Sequence, residues 1–208
     1  MSKVLYITAN PKKIEESYSL TVGEEFIREY IKLHPNDIVT RVDLFKKELY
    51  NIDEDLINYK FGKLSEENAS QEAKAKIKKL NETLDEFIDH DKYVFVTPLW
   101  NFGLPPVVKT YFDNVSIARK TFRYTANGSE GLLGGRKALH IQASGGIHST
   151  STKEPFAHGT TYIKSILTFF GIPDLLQILI EGVNLATSNT DEIKKNAIEK
   201  AKQLAKTF

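Results

Sequence analysis

Short runs of apolar, β-branched and aromatic residues recur along the chain and are separated by longer amphipathic segments. The runs lie at residues 4–7, 38–44, 93–96, 138–141 and 175–180. Segments with helical spacing lie at residues 20–33, 66–89, 107–118, 162–170 and 191–206. Three of the runs are apolar on both faces, which is typical of interior strands in a parallel sheet covered by helices. The alternation predicts an α/β fold in which crossover helices join parallel strands.

The breaks between these elements predict a single domain that spans residues 1–208. A chain of 208 residues is long enough for one sizeable core and short for two. Residues 35–37 and 171–174 are typical of helix ends followed by loops, not of domain linkers. Residues 125–136 contain four glycines and are either a mobile excursion or a small hairpin beyond residues 122–124.

Composition excludes several classes of function. The net charge of +1 argues against a nucleic-acid partner, because such proteins usually carry a basic surplus. The absence of cysteine excludes disulfides, thiolate metal sites and a cysteine nucleophile. His34, His90, His140 and His158 show no metal-ligand spacing, so we interpret them as structural or surface residues and expect no metal site.

The N-terminus and the hydropathy pattern predict a cytoplasmic protein with no membrane partner. Only three residues precede the first apolar run, which leaves no room for a signal peptide. No run reaches the roughly 18 apolar residues that a membrane span requires.

Three loops follow the first, third and fourth predicted strands, where open α/β sheets bind their ligands. Loop 1 (residues 8–19) carries Ser17, Tyr18 and Ser19 just before the first predicted helix. Hydroxyl groups and unpaired N–H groups at a helix N-terminus favour a phosphate, although Ser17 or Ser19 could alternatively only cap the helix. The chain has neither G-x-G-x-x-G nor G-x-x-x-x-G-K-[ST], so a mononucleotide fits better than a dinucleotide.

Loop 2 (residues 97–106) is unusually rich in apolar and aromatic residues for a loop at the end of a buried strand. It contains Pro98, Leu99, Trp100, Asn101 and Phe102. The aromatic rings can lie against a flat heteroaromatic ring, while the Asn101 amide can reach ring heteroatoms. The alternative is a buried aromatic plug between the loop and a helix.

Loop 3 (residues 142–148) contains Ala143, Ser144, Gly145, Gly146 and His148. Two adjacent glycines let the backbone approach a ligand and offer N–H donors. Such donors could stabilise negative charge that develops on the pyrimidine edge of a reduced flavin. The alternative is an ordinary tight turn.

Four motifs together resemble the FMN-dependent NADH-azoreductase and quinone reductase family. They are Ser17-Tyr18-Ser19, Pro98-Leu99-Trp100-Asn101-Phe102, Phe122-Arg123-Tyr124-Thr125-Ala126-Asn127-Gly128 and Ser144-Gly145-Gly146-Ile147-His148. The resemblance spans nearly the whole chain. It implies a flavodoxin-like, doubly wound, five-stranded parallel sheet with helices on both faces, in a homodimer with FMN near the interface. NADH or NADPH would reduce this FMN, and quinones or aromatic azo compounds would reoxidise it in a two-electron ping-pong cycle.

The resemblance also implies roles for the loop residues. Ser17, Tyr18 and Ser19 would hold the FMN phosphate, the named residues of loop 2 would flank the ring, and Ala143 to Gly146 would bond its polar edge. Phe102, Tyr124 and His148 would line the substrate pocket. His148 either assists by donating a proton or a hydrogen bond, or only fixes its loop. No other catalytic side chain is expected, because the cofactor carries the chemistry.

Two departures and two rival functions accompany this interpretation. Ala9 stands where some relatives have serine, and Ala143-Ser144 stands where some have serine-arginine, which bears on FMN affinity and on the choice of nicotinamide. One rival is a flavodoxin-type electron carrier, although such carriers are commonly acidic for docking. The other is a serine hydrolase centred on Ser144, but Gln142 occupies the first glycine position of its G-x-S-x-G motif.

Overall fold

A five-stranded parallel sheet forms the centre of the computed structural model, which describes residues 1–149 and 157–208. The strands are ordered β2-β1-β3-β6-β7, and every neighbouring pair is parallel. The α-helices and strands among the described residues are β1 (Lys3–Thr8), α1 (Tyr18–Leu33), β2 (Ile38–Asp43), α2 (Glu54–Lys60), α3 (Gln71–Ile88), β3 (Lys92–Pro98), α4 (Pro106–Val115), β4 (Phe122–Thr125), β5 (Gly128–Gly131), β6 (Lys137–Ala143), α5 (His158–Phe169), β7 (Leu175–Ile180) and α6 (Thr190–Ala205). The predicted α/β class and the five predicted strands are confirmed.

Helices cover both faces of the sheet. α1 and α6 pack on one face, where Phe26, Ile27 and Ala201 meet the inward side chains of β1, β3 and β6. α3, α4 and α5 pack on the other face, where Phe87, Phe112 and other large apolar side chains form a second core. The three central strands are buried on both faces, as the apolar runs predict, because each has a helix layer above and below it.

The helix predictions differ from the structure between residues 54 and 89. The predicted helix at 66–89 begins only at Gln71, because the Ser70 hydroxyl accepts the Ala73 N–H and caps the first turn. The short helix α2 was not predicted. It is capped by Asp53, which accepts the Leu56 N–H, and its seven residues are too few for a clear hydrophobic period.

The glycine-rich segment after α4 is a hairpin, which decides between the two predicted alternatives. β4 and β5 pair in antiparallel register, with Arg123 opposite Glu130. The base of the hairpin lies directly against the residues that follow α5, since a Cβ on Gly131 would lie 2.1 Å from the Gly171 backbone nitrogen. α5 ends just before β7 begins, so this hairpin base lies near the amino edge of the sheet. None of the helices described is long and apolar enough to cross a membrane.

Candidate functional site at the carboxyl edge of the sheet

Loops 1, 2 and 3 begin side by side, because β1, β3 and β6 are neighbours in the sheet. Backbone hydrogen bonds continue the ladder beyond the strands, with the Ala9 N–H donating to the Val96 carbonyl at 3.0 Å and the Leu99 N–H to the Ala143 carbonyl at 2.8 Å. The starts of the three loops are therefore held at fixed spacing. This edge is where a parallel α/β sheet is expected to bind a ligand.

Loop 1 ends in a cluster of polar groups at the N-terminus of α1. The Ser17 hydroxyl caps the helix by accepting the Leu20 N–H, and it also accepts from the Asn10 amide at 2.8 Å and lies 3.2 Å from the Ser19 hydroxyl. Within the described residues, the N–H groups of Tyr18 and Ser19 donate to no acceptor. Ser17 is thus a cap, as one alternative predicted, and the helix terminus still presents two N–H donors that suit an anion.

Loop 2 turns sharply at Asn101 and Phe102. Trp100 and Gly103 exchange both backbone hydrogen bonds, and the two residues between them have φ of 48° and 66°. Positive φ is tolerated by asparagine but strained for phenylalanine, so the surroundings must hold this turn. The Phe102 carbonyl accepts the His158 N–H at the start of α5, at 2.8 Å.

The aromatic side chains of loop 2 are exposed, which contradicts the alternative of a buried plug. Trp100 is 39% exposed and Phe102 is 51% exposed. Trp100 meets the ring of Phe45 edge-on, with ring centroids 6.1 Å apart. Phe102 lies 6.2 Å from the His148 ring, also edge-on. Loop 2 therefore offers apolar surface at the edge of the sheet.

Loop 3 is tied to the loop that follows β7. The carbonyl of Gly146 accepts from the Gly182 N–H at 3.0 Å and from the Ser144 hydroxyl at 2.8 Å, and the carbonyl of Gly145 accepts the Asn184 N–H at 3.1 Å. The N–H groups of both glycines have no acceptor among the described residues. Loop 3 is therefore more than a simple turn, because its carbonyls are used internally while two donors remain for a ligand.

Glu181, which the sequence reasoning missed, fixes the second half of loop 3. Its carboxylate accepts the N–H groups of His148 at 2.9 Å and Ser149 at 3.0 Å, and it also accepts the Ser149 hydroxyl. No sequence signal pointed to this contact, because the partners lie more than thirty residues apart in the chain. The backbone of His148 is thus held in place while its imidazole stays beside Phe102.

Tyr124 is the one predicted site residue that the structure does not bring to the three loops. It lies on β4, is 74% exposed, and its ring contacts Phe122, which in turn packs on Phe169 at the C-terminal end of α5. These contacts place it near the amino edge in this chain. Ser17, Ser19, Trp100, Phe102, Gly145, Gly146 and His148 are all brought to the carboxyl edge.

A cavity of about 560 Å³ lies on the far side of loop 1, between α1 and β2. Its walls include Tyr6, Lys12, Glu24 and Arg41, and none comes from loops 2 or 3. Arg41 and Glu24 pair with each other across this cavity wall. Among the three loops, only loop 1 therefore lines this cavity.

Comparison with known proteins agrees with this arrangement. The family model described as flavodoxin-like fold matches residues 2–205. The FMN-dependent NADH:quinone oxidoreductase 2 of Bacillus licheniformis is 47% identical to the chain over 212 aligned residues, which cover both proteins completely. The chain belongs to the family of FMN-dependent NADH:quinone oxidoreductases and azoreductases.

Other members of the family match the chain over its whole length. The FMN-dependent NADH:quinone oxidoreductase 2 of Bacillus subtilis is 45% identical and is also covered completely. An FMN-dependent NADH-azoreductase of Bacillus anthracis, solved in complex with FMN, is 32% identical and superposes with a TM-score of 0.92 over 100% of this chain and 99% of that one. The predicted resemblance and the flavodoxin-like fold are confirmed.

Proposed function

We propose that the chain is an FMN-dependent oxidoreductase that uses NADH to reduce quinones and aromatic azo compounds. The names of its full-length relatives support the cofactor, the donor and the acceptors. The observation that carries the proposal is the meeting of three loops at one sheet edge, with N–H donors at both sides of an exposed aromatic segment. NADPH stays a predicted alternative donor.

The residues present fit FMN at both of its polar ends. The Tyr18 and Ser19 N–H groups, with the hydroxyls of Ser17 and Ser19, would hold the phosphate at the α1 terminus. The N–H groups of Gly145 and Gly146 would bond the polar edge of the ring and stabilise negative charge there. Ala143 and Ser144 set the path of that loop, with Ser144 bonded back to Gly146.

Between these ends, loop 2 would flank the ring. Pro98 and Leu99 continue β3 to the turn, and Trp100, Asn101 and Phe102 form the turn itself. FMN, when bound, would supply two-electron transfer between the nicotinamide and the acceptor. The exposed Phe102 would offer a flat acceptor a surface for stacking, while the neighbouring His148 would donate a hydrogen bond or a proton at one imidazole nitrogen.

A homodimer completes the proposal. Phe45, Trp100, Phe102 and Ile147 leave apolar surface exposed at the carboxyl edge, as expected where a second copy docks. Tyr124 lies away from loops 1 to 3 in its own chain, so its predicted place in the substrate pocket requires the hairpin of a second copy. The cytoplasmic location and the single domain stay predictions.

One experiment tests the proposed reaction against a flavodoxin-type electron carrier. The purified protein is tested for flavin absorbance, and NADH consumption is followed with and without menadione or methyl red. We expect a yellow protein whose NADH consumption depends on the added acceptor. Flavin without acceptor-dependent consumption would instead favour the carrier, and a colourless protein that FMN does not reconstitute would contradict both.

A further inference from the structure

A buried histidine connects two elements that support loop 2. His140 lies on β6 and is 0% exposed. Its Nε2 atom lies 2.9 Å from the Thr97 hydroxyl of β3, and its Nδ1 atom lies 2.9 Å from the Thr160 hydroxyl of α5. The side chain thus connects the C-terminal end of the central strand β3 to the first turn of helix α5.

The bridge is built for the neutral imidazole. Burial lowers the pKa of His140 to about 3, so the ring carries one N–H donor and one acceptor at neutral pH. A threonine hydroxyl can donate or accept, so both nitrogens are satisfied whichever of them carries the proton. An apolar residue in this place would leave the buried Thr97 hydroxyl without this partner.

The bridge closes a ring of contacts around loop 2. Thr97 is the first residue of loop 2, and Thr160 lies two residues after His158, whose N–H donates to the Phe102 carbonyl at 2.8 Å. The ring therefore runs from Thr97 through the loop to Phe102, on to the start of α5, and back through His140. It encloses the turn in which Asn101 and Phe102 both have positive φ.

Close packing fixes the start of α5 against β6 next to this bridge. A Cβ on Gly159 would lie 2.1 Å from the Gln142 Oε1 atom. Gln142 Oε1 is buried and has no hydrogen-bond partner among the described residues, so shape, not a hydrogen bond, sets this approach. The hydrogen bond between His140 and Thr160 ties the start of α5 to β6 beside this contact, and the bond from the His158 N–H ties it to loop 2.

We propose that His140 is a positioning residue for loop 2: through Thr160 and the start of α5, it maintains the left-handed turn at Asn101 and Phe102 that faces the flavin and the acceptor. The expected effect on FMN binding rests on the proposed function. The expected effect on the conformation of loop 2 does not, because the contacts from His140 to Phe102 all lie within the chain.

The structure offers a matched control at the opposite edge of the sheet. His90 is also buried, and both of its ring nitrogens are bonded, Nε2 to the Thr40 hydroxyl at 2.9 Å and Nδ1 to the Glu86 carbonyl at 2.6 Å. Its partners do not contact loop 2. If His140 had only a structural role, its replacement would have the same effect on loop 2 as the replacement of His90.

The test compares His140→Leu, His140→Gln and His90→Leu in the full chain. Trp100 is the only tryptophan in the chain and lies in loop 2, so its fluorescence and its quenching by acrylamide report on this loop without any activity measurement. We expect stronger quenching in His140→Leu, partial recovery in His140→Gln, whose amide can bond both hydroxyls, and wild-type quenching in His90→Leu. Thr160→Val, which keeps the imidazole, is expected to be intermediate and serves if His140→Leu does not fold.

The flavin readouts follow on the same variants. We expect His140→Leu to weaken FMN binding by about tenfold and to raise the KM for menadione more than it changes kcat. His90→Leu should leave FMN affinity, KM and kcat at their wild-type values. Equal Trp100 quenching in the two leucine variants, or wild-type quenching in Thr160→Val and His140→Leu alike, would overturn the inference. If the wild-type protein binds no FMN while His140→Leu still increases the quenching of Trp100, the proposed function is contradicted and the inference about loop 2 is supported.

Discussion

At the amino edge of the sheet the polar groups around Asp37 bond to one another, whereas at the carboxyl edge several backbone N–H groups have no acceptor among residues 1–149 and 157–208. Asp37, just before β2, accepts the Ser2 N–H at 2.6 Å and the Tyr30 hydroxyl at 2.5 Å, and the Lys92 ammonium lies 3.7 Å away. At the other edge, the N–H groups of Gly145 and Gly146 donate to no described acceptor. We therefore expect the amino edge to contribute mainly to stability and the carboxyl edge to bind the proposed FMN.

The carboxyl edge also carries more backbone strain, since two successive residues there have positive φ, whereas Arg119 (φ 67°), between α4 and β4, is a single residue of this kind. Asn101 and Phe102 adopt positive φ at the carboxyl edge, with Phe102 half exposed. Such strain persists only where the surroundings impose it, and it is found mainly at functional sites. Mutations at the two edges should therefore separate stability from FMN binding.

Gly145→Val should cause the largest loss of FMN binding. A Cβ at this position would lie 2.7 Å from Asn184 Nδ2 and 3.2 Å from Asn184 Cβ, so loop 3 and Asn184 must move apart, and we expect this to displace the N–H donors of the loop. We expect FMN affinity to fall by about a hundredfold, which corresponds to about 2.7 kcal/mol. Fluorescence titration of the FMN-free protein measures this effect. Gly134→Val, at an exposed position near the amino edge where a Cβ meets no close contact, should bind FMN normally. Equal affinities of the two variants would contradict the assignment.

Asp37→Ala should have the opposite profile and lower stability while FMN affinity stays unchanged. It removes the acceptor shared by Tyr30 and Ser2, and we expect the melting temperature to fall by about 4 °C at pH 7.

The effect of Asp37→Ala should depend on pH. Burial alone raises the pKa of Asp37, but the hydrogen bonds from Tyr30 and Ser2 and the charge of Lys92 outweigh burial and hold this pKa below its ordinary value. The carboxylate therefore stabilises the fold above the ordinary pKa of about 4, and this contribution disappears as pH falls through the lowered native value. The difference in melting temperature between the wild type and the variant should narrow in acid. A constant difference would contradict this account of the cluster.

Ser17→Ala should show a smaller effect on both properties, because Ser17 is a cap and a predicted phosphate ligand at once. Loss of the cap should cost about 1 kcal/mol of unfolding free energy, and FMN affinity should fall by about tenfold. Riboflavin, which lacks the phosphate, should bind both proteins equally. Ser70→Ala removes the equivalent cap of α3 and should reproduce the loss of stability without the loss of FMN affinity. If both serine variants bind FMN equally well, Ser17 has no role at the phosphate.

The smallest effect is expected from the titration of His140. Its pKa in the fold is about 3, below the ordinary value of about 6.5, so acid favours the unfolded chain, in which the ring is free to take up a proton. The stability that this group provides is complete above pH 6.5 and falls as pH drops towards 3. Between pH 7 and 6 the wild type should lose less than about 1 kcal/mol from this source, and His140→Gln should lose less than the wild type. Equal losses in denaturant titrations at the two pH values would contradict a neutral buried ring.

The sequence predicts those parts of the carboxyl edge that are local in the chain. The apolar runs identify β1, β3 and β6, and the loops after them contain Ser17, Trp100 and Gly145 in recognisable motifs. Because parallel strands bring their carboxyl ends to one edge, the approach of these loops follows from the strand pattern alone.

The contacts that support these loops depend on tertiary structure and could not be predicted. Glu181 bonds His148 from another strand end, and His140 joins Thr97 to Thr160 across the sheet and a helix. None of these pairs has a local signature, because each residue type is common in cores and loops. The position of Tyr124 could not be predicted either. Its hairpin is held by the contact between Gly131 and Gly171, which are distant from each other in the chain.

Hydrogen exchange of the backbone amides, with and without FMN, tests most directly whether the carboxyl edge is the binding site. We expect slower exchange on FMN addition at residues 18–19 and 145–146, whose N–H groups have no acceptor among the described residues, and unchanged exchange around residues 2–3 and 37–38 at the amino edge. Protection confined to the amino edge, or to the walls of the cavity beside Tyr6 and Arg41, would contradict this expectation.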